Sequence, residues 1–395
     1  MAETTSLPRA LAAGALAFGL ASAVEAVPSF ELVGIGHLPM EKEPADVLAS
    51  FASDVDEAGV VVGQSTLSIG AVPQLAAGDF HAVRFTSQGG LEDLGDLASG
   101  GDTSAALGIG ASGRIVGRAD GQADPGGLPP DLADATHAVR WSPDATTPDD
   151  IGVGTASSVA RAVNVSDHAV GDVGETGHRQ AFFYSSGLGI SPLPDPPDVV
   201  QTTAEAVNAS DAIVGHAHTT SGLRAMLWNG IAAPLDLGDL DGDGGDSAAF
   251  GINDAGWIVG SSDDDGEQRA FRRDPGTGLL EGLPHLPGGD FSRARDVNED
   301  GWIVGAAWEP SAHAFRAVLW EPDGTIHDLN DLVVAGGDGW VLEEALAVSD
   351  AGHVVGTARN PSGEYEGFVL PEPRGPGVFA ACAALLSYLA RRRSS

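Results

Sequence analysis

The residues best suited to chemistry in this chain are carboxylates. Asp239, Asp241 and Asp243 stand at alternate positions, followed by Gly244 and Asp246. Alternate carboxylates ahead of a glycine form the first half of an EF-hand-like loop, which surrounds calcium with hard oxygen ligands. The twelfth position of such a loop, where a bidentate Glu belongs, is Phe250. Corresponding sites elsewhere read Gly100-Gly101-Asp102, Gly288-Gly289-Asp290 and Gly336-Gly337-Asp338. These copies favour a structural turn; calcium held by Asp239, Asp241, Asp243 and Asp246 is the alternative and the one candidate cofactor. A second acidic run, Asp263 to Glu267, reads as a solvated hairpin tip. His216 and His218 are the only close histidine pair and share a face if they lie on a strand, yet no third ligand stands near them. The chain has no Gly-Lys-Ser/Thr phosphate loop, no Gly-x-Ser-x-Gly elbow and no His-Glu-x-x-His pair. With 56 acidic residues, close carboxylate pairs arise by chance, so no catalytic residue is assigned.

The elements that position these residues come from a repeat. The phrase Gly251-Ile252-Asn253-Asp254-Ala255-Gly256-Trp257-Ile258-Val259-Gly260 reads as strand, tight turn, strand. It recurs with its last glycine at Gly63, Gly117, Gly171, Gly215, Gly260, Gly305 and Gly356. The place of Gly256 is taken by Gly59, Gly113, Asp167, Asp211, Gly301 and Gly352, all residue types that tolerate positive φ, so one turn geometry serves seven copies. A second phrase follows each copy, as in His81-Ala82-Val83-Arg84-Phe85, and reads as a third strand. A third phrase, as in Asp93-Leu94-Gly95, Asp236-Leu237-Gly238 or Asp328-Leu329-Asn330-Asp331-Leu332, reads as a fourth strand with a loop behind it. Four short strands per repeat of about fifty residues is the content of a propeller blade. The seventh copy lacks its fourth phrase, and Phe30 to Leu38 supplies it from the other end of the chain. The expected fold is all-β: a seven-bladed propeller whose N-terminal strand closes the last blade. The aromatics Phe85, Trp141, Tyr184, Trp228 and Trp320 share one repeat position and are expected to fill the packing between blades.

The net charge is −36, from 56 acidic against 20 basic residues. Phosphate contacts need Lys and Arg, so nucleic acid is excluded as a partner, and anionic lipid surfaces are disfavoured. The single cysteine, Cys382, lies in the C-terminal apolar stretch, so the repeats hold no disulfide and no thiolate metal site.

Residues 1–26 read as a secretory signal: Arg9, an apolar run from Leu11 to Leu20, then small residues up to Ala26. Residues 27–370 are the ring and 371–395 a tail. In the tail, Pro371, Glu372 and Pro373 precede an apolar stretch from Gly375 to Ala390, expected to be a helix, and then Arg391, Arg392 and Arg393. The arginines would hold the C-terminus in the cytoplasm and the ring outside. The membrane is thus met only through this helix.

The repeat phrases resemble those of the HAF-repeat family of bacterial extracellular proteins, over roughly residues 30 to 370. The His is kept only at His81 and His137, and the Phe only as Phe182 and Phe271. The tail resembles the PEP-CTERM sorting signal of Gram-negative bacteria, which implies an exosortase-type processing enzyme as a partner. That class is associated with extracellular polysaccharide and biofilm. The resemblances imply a secreted or cell-surface binding or matrix protein with a glycan or protein partner. A polysaccharide lyase or glycoside hydrolase on the same scaffold is the alternative. Convergent His, Arg, Tyr and carboxylates around the central channel would speak for an enzyme, and exposed aromatics or polar loops at a rim for a binder.

Overall fold

The computed structural model describes residues 28–38, 49–66, 80–97, 103–120, 136–154, 156–175, 177–230 and 232–372. Seven four-stranded antiparallel sheets follow one another along the chain, which is a seven-bladed β-propeller. The first blade uses Ser50–Val55, Val61–Thr66, Phe80–Thr86 and Gly90–Asp93. The first strands of successive blades touch one another in a closed circuit and form the inner ring. The last blade consists of Val341–Val348, Val354–Arg359, Tyr365–Leu370 and, from the other end of the chain, Val33–Gly34. Val33 pairs with Val369 and Gly34 with Phe368, and Ile35 N–H donates to Gly367 O at 2.9 Å. The expected closure is therefore present, and it leaves no open edge in the ring. Phe30–Glu31 adds a short parallel pairing with Val333–Ala335 of the sixth repeat.

The glycine that ends each phrase sits where two strands approach too closely for a side chain. A Cβ on Gly260 would strike the carbonyl oxygen of Ala248 and lie 2.8 Å from the Phe271 ring. The facing strand carries a register irregularity beside each such glycine, as between Ala249 and Gly251. The residue at the turn has positive φ in all seven copies: 75°, 75°, 59°, 62°, 86°, 83° and 89° from Gly59 to Gly352. Asp167 and Asp211 thus stand in the same left-handed turn as the glycines, a conformation that their residue type tolerates.

The cores lie between blades. Trp141, Trp228 and Trp320 are fully buried, and each indole N–H donates backwards to the preceding blade, to Leu94 O at 2.8 Å, Pro194 O at 2.9 Å and Pro284 O at 2.9 Å. The shared aromatic position does fill inter-blade packing. The Asp-Leu-Gly phrase differs from expectation. The fourth strand ends at its Asp, as at Asp93, Asp150 and Asp236. That Asp accepts the N–H two residues on, at 2.7 Å from Gly95, 2.8 Å from Gly152 and 2.9 Å from Gly238. The sixth copy becomes a one-turn helix, Leu329–Leu332, capped by Asp328. A side chain that binds its own backbone ends a strand and does not extend it.

No helix among the described residues is long and apolar enough to cross a membrane. The expected signal at 1–26 and the expected helix from Gly375 to Ala390 lie outside the described residues, as do Pro373, Arg391, Arg392 and Arg393. The last strand ends at Leu370, directly before Pro371 and Glu372, as the prolines require.

Candidate functional site

Two ends of the central channel gather polar groups. At the first, the seven turns face one another around a bowl of about 220 Å³. Each Asn here works twice. Its Oδ1 accepts from its own turn, as from Trp257 N–H to Asn253 at 2.9 Å. Its Nδ2 donates to the next blade: Asn164 to Asn208 O at 2.9 Å, Asn208 to Asn253 O at 3.1 Å, Asn253 to Asn298 O at 3.0 Å and Asn298 to Ser349 O at 3.1 Å. A second circuit uses the following residue. Asp254 accepts from Ala209 N–H at 2.7 Å, Glu299 accepts from Asp254 N–H, Asp350 accepts from Glu299 N–H at 2.7 Å, and Glu57 accepts from Asp350 and Ala351 N–H at 3.1 and 2.8 Å. The rim is polarised as a result. Carboxylates occupy it in blades five, six, seven and one, while Ala111, Val165 and Ala209 occupy the same place in blades two to four.

Deeper in the same wall lie Asp54 and Asp296. Asp54 accepts from Val55 N–H and, across the blade boundary, from Ile109 N–H, both at 2.8 Å. Asp296 accepts from Val297 N–H at 2.8 Å and from Val348 N–H of the next blade at 2.9 Å. Desolvation is the largest influence on both; it raises Asp54 to about 7 and Asp296 to about 6, against the lowering effect of those N–H donors. Both side chains are half-buried and keep some surface in contact with water, which screens part of that effect.

Further along the channel, arginines meet acids of their own blade and of the next one. Asp172, which is 1% exposed, accepts from Arg161 Nε at 3.0 Å and from Arg179 Nε. Arg161 reaches on to Glu205 at 3.8 Å. Arg293 and Arg295 both end on Glu344, at 2.8 and 2.6 Å, and Arg295 lies over the Phe250 ring at 4.8 Å. Burial lifts Glu205 above the usual carboxylate range despite Arg161. Burial also pushes His216 down to about 4, helped by His218 and Arg161. The 3.6 Å approach of His216 Nδ1 to Glu205 is therefore a contact of a neutral ring, not an ion pair, at neutral pH.

The candidates read from the residue pattern fare unequally in space. Asp239, Asp241 and Asp243 bring carboxylate oxygens within 4.8 Å of one another on an exposed loop. Asp246 does not join them: its carboxylate accepts Leu223 N–H at 2.8 Å. Asp239 itself accepts N–H groups of Gly242 and Gly244, and Asp241 that of Asp265, which is the work of a turn. His216 and His218 do share a face, with ring centroids 5.6 Å apart, but with no third ligand among the described residues. Asp264, in the second acidic run, holds Arg269 at 2.8 Å instead of standing free in solvent.

The motif histidines prove structural. His81 Nδ1 lies 3.0 Å from Asp93, and His137 Nδ1 lies 2.8 Å from Asp150, so each ties the third strand to the residue ending the fourth. Sequence reasoning missed one repeated group entirely. Ser104, Ser158, Thr202, Ser247 and Ser292 each accept the N–H of the motif alanine in the preceding blade, at 2.9 to 3.0 Å, and Ser50 does so for Gly367 at 3.2 Å. The signal was present as a constant offset: Ser50 stands before Gly63 as Ser104 does before Gly117 and Ser292 before Gly305.

No family model matches the chain, and no curated protein matches it. Among solved structures, it is similar to a puromycin-hydrolyzing peptidase of Mycobacterium tuberculosis, with a TM-score of 0.55, 12% identity, and 87% of this chain and 56% of that one covered. It is also similar to the β-propeller domain of the Trilobed protease from Pyrococcus furiosus, described as having an open velcro topology (TM-score 0.51, 10% identity, 82% and 95% covered). A third is the acylaminoacyl peptidase of Pyrococcus horikoshii (TM-score 0.51, 10% identity, 85% and 54% covered). The chain spans about half the length of the two peptidases. At these identities the likeness establishes the propeller fold alone.

Proposed function

We propose that this protein is a non-catalytic binding propeller of the Gram-negative cell exterior, with a glycan or protein partner. The observation that carries the binding half is the state of the channel arginines. Arg161, Arg179, Arg293 and Arg295 all rest on Asp172, Glu205 or Glu344. Charges neutralised within the third blade and across two blade boundaries leave none of these four cations free to stabilise a reacting anion. The location rests on the sequence, through the signal-like residues 1–26 and the PEP-CTERM-like tail with Pro371, Glu372, Pro373 and Arg391 to Arg393. An exosortase-type enzyme is the processing partner this reading requires.

One observation favours an enzyme, a polysaccharide lyase or hydrolase, as the second reading. Glu205, a carboxyl that burial raises, lies 3.6 Å from the His216 ring, which burial keeps neutral, and a carboxyl beside an imidazole is a candidate acid–base pair. The two readings part in one experiment. The full chain is incubated with neutral and uronate polysaccharides while reducing ends and unsaturated uronates are followed. Retention on a polymer without turnover is the expected outcome; turnover that vanishes in His216→Ala makes the protein an enzyme. For location, fractionation with mass spectrometry of the mature C-terminus is expected to find no peptide from Gly375 to Arg393 in the surface form. Their persistence would replace sorting by a permanent anchor.

A further inference from the structure

Between the fifth and sixth blades, on the turn face, lies a pocket of about 190 Å³. Buried Val259, Val297 and Ile303 give it an apolar floor, Pro322 adds apolar surface, and Trp257, Arg272, Glu299 and Asp300 supply its polar groups. We infer that this pocket is a subsite for one neutral hexopyranose unit. The inference takes the binding reading above and names its ligand class and place.

Charge selects the ligand. Arg272 already sets its guanidinium 5.8 Å from the Trp257 ring, so a ligand cation meets a like charge at the one aromatic face. Glu299 and Asp300 line the same space, so a ligand anion meets two carboxylates. A neutral molecule escapes both penalties. The hydrogen-bonding groups left over are mixed. Arg272 spends Nε on Glu281 at 2.8 Å and Nη1 on Pro322 O at 2.6 Å. Its Nη2, the Trp257 indole N–H and the Asp300 carboxylate have no partner among the described residues. Two donors and an acceptor over an apolar floor match a ring that carries hydroxyls, which both donate and accept, around an apolar C–H face. The volume falls below the ~300 Å³ at which drug-sized pockets begin, so it suits a single ring.

The fold supplies an internal control. Arg84, Glu92 and Pro143 repeat the Arg272, Glu281 and Pro322 arrangement between the first and second blades: Arg84 binds Glu92 and Pro143 O. There Val60, Ala111 and Ser112 stand in place of Trp257, Glu299 and Asp300. The scaffold therefore folds without the indole and the two carboxylates, which are additions to one groove.

The test uses the full chain and one ring in three charge states: methyl glucoside, glucosamine and glucuronate, followed by saturation-transfer NMR and calorimetry. Methyl glucoside is expected to bind with a Kd on the order of 1–10 mM, and the two charged analogues at least about fivefold more weakly. Trp257→Val and Asp300→Ser, which copy the first groove, are each expected to weaken binding about tenfold. Their melting temperatures should stay close to that of the parent, and the exposed Asp300→Ser serves if Trp257→Val fails to fold. No transfer from the neutral sugar, undiminished binding in either folded variant, or glucosamine binding tightest overturns the subsite. Retention on a polysaccharide that survives both variants sinks this pocket and leaves the binding reading standing. Turnover sinks that reading while the sugar titration still reports on the pocket.

Discussion

At the residue scale, single atoms decide whether the repeat can form. Gly260 has no room for a side chain against Ala248 O and Phe271. Gly260→Val is expected to destabilise the ring by about 3 kcal/mol or more, because overpacking here displaces backbone. The exposed change Leu188→Ser should be close to neutral; equal melting temperatures for the two would refute the close approach. Asp54 and Asp296 make a second residue-scale case. Their folded pKa values, about 7 and about 6, lie above the unfolded value. The native state then binds more protons than the unfolded one, so their contribution is full below about pH 4 and is lost as pH rises to about 7. Discounted for the water that reaches them, the loss from Asp54 is about 2 kcal/mol or less. Denaturant unfolding from pH 4 to 8 should show a stability slope in the parent that flattens in Asp54→Asn. An unchanged slope would mean that Asp54 is ionised in the fold.

At the element scale, the turn is the unit that joins blade to blade. Residue type alone indicated a left-handed turn, and the φ angles agree from Gly59 to Gly352. What residue type did not reveal is why the Asn copies need more than a turn former. An Asp can cap its own turn, as Asp56 does toward Ala58 and Val60 N–H at 2.9 Å each. Only an Asn can also donate to the next blade, because its amide carries a donor beside the acceptor. Asn298→Asp should therefore cost roughly 1–3 kcal/mol by setting a carboxylate against Ser349 O, whereas Asp56→Asn should cost little. Paired chemical denaturation of the two variants decides this, and equal losses would make the relay incidental. The motif His and the inner Ser were legible as repeated positions, but their partners lie on another strand or in another blade. Spacing along the chain carries no information on which atom a side chain meets across a blade boundary.

At the scale of the molecule, closure is the decisive feature. Val33–Gly34 completes the seventh sheet and Phe30–Glu31 pairs beyond it, so removal of residues 28–38 leaves the edge of Tyr365–Leu370 open. Such a truncation is expected to melt well below the parent and to self-associate through that strand. Size-exclusion chromatography and thermal unfolding test it; a monomer as stable as the parent would show that closure is dispensable.

The repeat spacing, the turn residues and the displaced fourth phrase at Phe30 to Leu38 determined a closed seven-bladed ring, because strand period and turn chemistry are local properties. Tertiary structure alone decided what the ring brings together. It separated Asp246 from Asp239, Asp241 and Asp243, although the four are near in sequence. It joined Arg161 to Glu205, Arg293 and Arg295 to Glu344, and Trp257 to Asp300, which are distant in it or fall in different blades. The cause is the period of the fold. Residues that meet across a blade boundary are one repeat apart along the chain, and their contact depends on how two sheets pack, which no local pattern encodes.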